Sequence, residues 1–453
     1  MSHATARGLS PVRHVLANGA VILVKRSTVT PAVTINASCH AGIVHEPPAA
    51  PGLAHFLAQT IDRGTERRTP GDLADALDGR GVALATSVNR HALALSCSCL
   101  AEDFDATLDI VVDVLRRPSF LEDEVARKRA EIATTLGQDA DNPAVQAVEG
   151  LFELLYGASH PYGRRSKGTV EQLERISRET LAGFHRERIV PSALSLVMVG
   201  DVDPVRAIDA AARLLEDWQG ATPRALALPP VEHARARRRV VRPMMNKSQA
   251  DLAYGFTTVT RSDPAYDAFW VMNTILGQFG LGGRLGDNIR ERQGMAYYVF
   301  SSFDAALVGA PLFVRAGVDG SRVDRAIAAI DEEIAALTRD GVTDAELDDT
   351  KRYLKGSMPR HLETNAGIAT FLQSAEFFGL GLDHDERLPS LIDAVTREEV
   401  HEAARRLAPD RAAIVIAGPY RDGSAQAGCR RLRKAPATLD EARRAESGGP
   451  RRL

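Results

Sequence analysis

The stretch Gly52-Leu53-Ala54-His55-Phe56-Leu57-Ala58-Gln59 has the frame of a metal-binding helix but not its chemistry. In a His-x-x-Glu-His run, two imidazoles stand at i and i+4 on one helix face, and the carboxylate beside them activates metal-bound water. Here the run reads His55-Phe56-Leu57-Ala58-Gln59, so one imidazole survives while Ala58 replaces the base and Gln59 the second imidazole. Gln is a poor zinc ligand beside His, Cys or carboxylate, and Ala58 cannot accept a proton. Leu53, Leu57 and Ile61 keep helical spacing, so the helix is expected to fold and pack. His55 reads as a vestige on a face turned toward a cavity, and the chain is expected to bind no metal and no other cofactor.

Strands must hold this helix in place. Val21-Ile22-Leu23-Val24 follows the turn Asn18-Gly19, a second apolar strand covers residues 33–37, and Gly52 opens the helix, which stops before Arg63-Gly64-Thr65. A helix is expected over residues 70–79, a strand over 82–99, a helix over 101–117 and a charged helix to about residue 137. Asp141-Asn142-Pro143 then starts another helix. Strand Ser195-Leu196-Val197-Met198-Val199 closes the half, and an Ala-, Pro- and Arg-rich linker follows. The pattern then recurs. Ser177-Arg178-Glu179 returns 219 residues later (396 − 177) as Thr396-Arg397-Glu398, and the closing strand returns within residues 412–418.

These flanks, with His160-Pro161-Tyr162-Gly163 and the run from Gly283-Arg284-Leu285 through Arg290-Glu291-Arg292-Gln293-Gly294-Met295-Ala296-Tyr297, resemble the M16 peptidases, which include pitrilysin, insulinase and the mitochondrial processing peptidases. The similarity is greatest to the short bacterial members. It implies an α+β fold of two homologous halves, each a mixed, mainly antiparallel sheet with helices packed on one side, closing as a clamshell. The expected divisions are an N-terminal domain over residues 1–221, a linker over 222–239, a C-terminal domain over 240–420 and a disordered tail over 421–453.

The resemblance also implies roles. The family's third zinc ligand falls on the charged helix, and its spacing from Gln59 lands on Thr135 or Leu136; Glu131, one turn earlier, could serve only if the helix shifted. Arg284 and Tyr297 stand 13 residues apart (297 − 284), as do the family's arginine and tyrosine that bind substrate backbone across the clamshell and stabilise the oxyanion. Without that frame, Arg284 reads as a surface ion-pair residue and Tyr297 as core. Gly283 and Gly286 replace a serine and an aromatic residue usual in the family, which is expected to loosen the loop. Residues 83–88 correspond to a sheet edge that family enzymes extend with their peptide.

With 453 residues, the chain suits two domains; 44% hydrophobic and 25% charged residues with a net charge of −3 give no cue for nucleic acid. No apolar run reaches the length of a signal core or a membrane span, so the cytoplasm is the expected location. The four cysteines lack metal or disulfide-framework spacing and are expected to be reduced. The glycines of residues 276–283 lack the Gly-Lys-Ser/Thr ending of a phosphate loop. Three functions fit. The first is the non-catalytic, Arg/Tyr-supplying subunit of a heterodimeric zinc metallopeptidase, whose partner is an M16 homologue with an intact His-x-x-Glu-His and whose substrate is a peptide. The second is a non-enzymatic scaffold or peptide-binding subunit, and the third an enzyme with a rebuilt metal site.

Overall fold

Leu93–Leu100 buries every second side chain, Leu93, Leu95, Cys97 and Cys99, the period-two pattern of a strand with one face on a core. In the computed structural model, which describes residues 8–421, this strand lies in a six-stranded sheet. Its members are β1 (Val12–Val15), β2 (Val21–Arg26), β3 (Ala32–Cys39), β4 (Ala85–Val88), β5 (Leu93–Leu100) and β6 (Leu194–Gly200), in the order β1-β2-β6-β3-β5-β4. A second sheet holds β7 (Arg238–Pro243), β8 (Ala250–Thr257), β9 (Ala296–Phe303), β10 (Pro311–Val318) and β11 (Ala413–Gly418), in the order β7-β11-β8-β10-β9. Each sheet has one parallel pair, β2 with β6 and β7 with β11, and is otherwise antiparallel. Strand for strand, the second order repeats the first without β1. The repeat read from the sequence is thus a repeat of topology.

The helices that matter below are α1 (Leu53–Thr60), α2 (Phe104–Arg116), α3 (Glu122–Ala140), α4 (Pro143–Tyr156), α5 (Val323–Asp340), α6 (Asp344–His361), α7 (Asn365–Phe377) and α8 (Arg397–Arg405). One face of the first sheet packs on α1 and α2 through Leu53, Phe56, Leu57, Phe104 and Leu108. The corresponding face of the second packs on α5 and α8 through Ile330, Ile334 and Val400. The opposite faces are covered by exchange. From the first half, α4 sets Ala147, Leu151, Phe152 and Leu155 on Ala253, Phe313, Ala413 and Val415 of the second sheet. In return, α7 from the second half sets Ile368, Ala369 and Leu372 on Leu23, Val197 and Val199 of the first. Two-sided burial explains why β8 and β11 are almost continuously apolar rather than alternating.

Polar contacts tie the exchanged elements at the seam. Arg13 forms a two-pronged pair with Glu376 at 2.8 and 3.0 Å, Asn365 Nδ2 donates to Ala32 O at 3.1 Å, and Arg242 Nη1 donates to Gln146 O at 2.9 Å. The fully buried Tyr162 of the His-Pro-Tyr-Gly turn adds another tie: its hydroxyl accepts from Leu307 N at 3.1 Å and meets His91 Nε2 at 2.5 Å. Residues 218–234 form neither helix nor strand. The tail expected at 421–453 and Cys429 lie outside the described residues, apart from residue 421 itself; Cys39, Cys97 and Cys99 are free and buried. Among the described residues, no helix is long and apolar enough to cross a membrane.

Candidate functional site

Helix α1 begins at Gly52, whose φ of +88° suits glycine and whose missing Cβ would lie 2.6 Å from Lys167 O. Glu46 caps it, accepting from Gly52 N at 3.1 Å and Ala54 N at 2.8 Å. Burial pushes the Glu46 carboxyl up to about 8, although these N–H groups and Arg164 pull the other way. Leu53, Ala54, Phe56, Leu57 and Ala58 are buried, so the helix packs as its spacing predicts.

The chemical face of α1 differs from that of a metal site. Burial first, and then the charge of Lys167, lower the His55 pKa to about 4, with Asp139 opposing. Lys167 Nζ itself pairs with Asp139 at 2.7 Å. The positive charge beside the surviving imidazole is therefore an ammonium already held by a carboxylate. Helix α3 runs past α1 so that Asp139 bears on His55, while Lys128 and Glu124 bear on Asp62 at the other end. Glu131, the residue one turn before the expected third-ligand position, is half exposed and paired with Arg127 and Lys128 at 3.1 and 2.6 Å. Among the described residues, no three His, Cys, Asp or Glu side chains are grouped as metal ligands. This donor set does not fit zinc, which needs three or four ligands of that kind. The sequence reading missed Asp139 and Lys167. Asp139 lies one turn beyond Thr135 on the same helix face, a periodicity that could have flagged it; Lys167 left no such signal.

Each sheet ends in an edge strand. Helix α1 packs against β4, the edge strand of the first sheet, within the 83–88 stretch. Its counterpart β9 is the edge of the second sheet, and Tyr297 stands near its start, 67% exposed rather than in the core. Two π-helical stretches, Thr274–Gln278 and Gly286–Arg292, flank the glycine-rich loop and pack on β9.

Arg284 is not an open donor. Its Nε and Nη2 hold both oxygens of Glu346 at 2.6 and 2.8 Å, and Nη2 also donates to Gly341 O at 3.1 Å. The Glu346 pKa falls to about 2: against the desolvation cost of its burial act the Arg284 hydrogen bond and charge and the Thr343 cap. Arg290, seven residues before Tyr297, is the freer guanidinium; its side chain is 42% exposed and, among the described residues, its one ion pair is with Glu291 at 3.5 Å. The loop is also tighter than expected, since Gly283 has a φ of +57° and a Cβ there would lie 2.3 Å from Ile275 O.

The folded halves carry two family signatures. Residues 21–156 match the family model described as Insulinase (Peptidase family M16), and residues 175–354 match the model described as Peptidase M16 inactive domain. The chain belongs to the M16 peptidase family. A protein of Mycobacterium leprae (strain TN) named as an uncharacterized zinc protease is 27% identical over 423 residues, covering 92% of this chain and 93% of its own. Among solved structures, the M16 inactive domain from Pseudomonas fluorescens superposes with a TM-score of 0.85 at 25% identity, covering 91% of this chain and 98% of that one. A protease from Helicobacter pylori shares the fold with a TM-score of 0.83 at 16% identity, over 90% and 99% of the two chains. His55 and the whole of α1 lie within the stretch matched by the first of these M16 models.

Proposed function

We propose that this M16 chain is the non-catalytic subunit of a two-chain zinc metallopeptidase. Its partner, an M16 homologue with an intact His-x-x-Glu-His, supplies the metal and the base; this chain supplies cavity wall and hydrogen-bond donors. The observation that carries this reading is the pairing of an intact α1 scaffold with a Lys167–Asp139 ion pair in place of a ligand set. The substrate is an extended peptide, laid along the free edges of β4 and β9 by backbone pairing. Tyr297 and Arg290 present donors from the β9 side, and Arg284 acts by holding the loop to α6 through Glu346. The engagement of Arg284 gives some weight to the second reading, in which the chain binds peptides or assembles without taking part in cleavage.

Peptide-cleavage assays on the chain, on its partner and on the mixture test the proposal. Activity is expected only in the mixture. Tyr297→Phe should lower kcat there by up to about 10²–10³-fold, the loss typical of one fixed oxyanion donor, while co-elution is preserved. An unchanged kcat in that variant would remove Tyr297 from the mechanism. Assembly with no turnover in any mixture would leave the scaffold reading.

A further inference from the structure

Residues 237–239, at the start of β7, are three successive arginines that alternate in direction. Arg237 and Arg239 point toward α5, where Asp331 at 2.9 Å and Asp324 at 2.8 Å meet them. Arg238, between them, faces the other way into a cavity of about 530 Å³. Its Nε is buried without a hydrogen-bond partner, and its pKa is lowered by burial alone. Arg406 and Arg411 line the same cavity, and among the described residues neither has a carboxylate partner; Arg406 lies 5.7 Å from the centre of the Phe269 ring. Arg405, also at the rim, is already paired with Glu402.

Among the described residues a single carboxylate lines the space, Asp263, and one of its oxygens accepts from Ala265 N at 2.8 Å. Three guanidiniums without a carboxylate partner thus face one cavity: Arg238 partly buried in its wall, where a cation is ordinarily paired, and Arg406 and Arg411 exposed at its mouth. Hydroxyls add to the polar wall: Thr257 Oγ1 meets His233 Nδ1 at 3.1 Å. The remaining wall is apolar, from Leu155 of α4, Val231 of the linker, and Phe256 and Val259 of the second half. Guanidinium forks match phosphate oxygens, and the volume falls within the range of about 300–1,000 Å³ that small-molecule sites occupy. An inorganic phosphate would fill only a fraction of it.

We infer that this cavity binds a nucleotide-sized phosphate ester, its phosphates on Arg238, Arg406 and Arg411 and its apolar body against Phe256 and Leu155. Because linker, α4 and second half all contribute walls, the bound ester bridges the two halves at the linker.

Calorimetry on the full chain at low salt, with ATP and with inorganic tripolyphosphate, tests this. Saturable binding of ATP is expected; tighter binding than tripolyphosphate assigns the apolar wall to the nucleoside, and equal binding assigns recognition to phosphate alone. Arg238→Gln and Arg411→Gln should each weaken binding by about tenfold or more, one lost charge-assisted contact. Neither variant removes an ion pair from the fold, so circular dichroism should be unchanged. The surface control Arg292→Gln, 72% exposed, should bind as the parent does. The site is refuted by absence of saturable binding to either probe, or by equal weakening in Arg292→Gln and Arg238→Gln.

Discussion

Ala58 is 1% exposed and Gln59 half-buried, so α1 has exchanged catalytic side chains for ones its packing tolerates. Restoring the motif by Ala58→Glu with Gln59→His should therefore not restore the site. The new carboxylate enters a space fitted to a methyl group, which should cost about 1–3 kcal/mol or more in urea unfolding, and Asp139 remains held by Lys167. Elemental analysis of the double variant should find no stoichiometric zinc; a full equivalent would overturn the account of Lys167. Glu46 gives a second test. With a folded pKa near 8, above the unfolded value of about 4.3, the folded chain holds a proton that the unfolded chain lacks between those values. Its contribution is complete below the lower value and is lost as pH rises through the upper. Glu46→Gln should flatten stability between about pH 5 and 8, and an unaltered slope would refute the shift.

At the scale of elements, α4 is the test of the exchange. Leu151 is fully buried against the second sheet, so Leu151→Ala should cost about 2–5 kcal/mol and destabilise both halves in one transition rather than the first alone. Chemical unfolding followed by probes in each half would show it; separate transitions would argue against coupling. The strands and helices themselves were legible. Val21 to Val24 carries the right apolar period and the Pro143 and Pro70 starts fall at N1 as read, but the single strand expected over residues 82–99 is two, β4 and β5, folded back on each other through residues 89–92. Which sheet α4 covers was not legible, because an apolar helix face records that it is buried but not by what. Arg284 failed to declare its partner for a related reason: Glu346 lies 62 residues on, and only the folded chain brings it to the guanidinium while it also closes the capping box of α6. Spacing marked the arginine, and only the fold could say which carboxylate would reach it.

Over the whole molecule, the seam between halves concentrates neutral histidines. His40 stacks on His45 and meets Phe377 edge-on at 5.1 Å, while His91 lies 5.4 Å from Phe377 and 6.0 Å from Phe378. Burial lowers all three, His45 and His91 to about 4, and Arg188 and Arg90 add to the effect on those two. Tyr162 faces His91 from the first half, and among the described residues no carboxylate acts on the three rings. Their folded pKa values lie below the unfolded value of about 6.5, so the stability they contribute is complete above that value and is lost as pH falls toward 4. Amide exchange at residues 374–379 should accelerate on acidification through that window, and the double variant His40→Gln, His45→Gln should blunt the change. Equal acceleration in parent and variant would assign the effect elsewhere. The exchanged helices carry a further consequence for how such a chain is made. During synthesis, α4 leaves the ribosome 262 residues (418 − 156) before the end of β11, one of the strands it must rest on. At about 5–20 residues per second, its apolar face waits on the order of 10–50 s without its native cover. Neither half can mature as an independent nascent domain, and the newborn chain should need a chaperone until the last strand emerges.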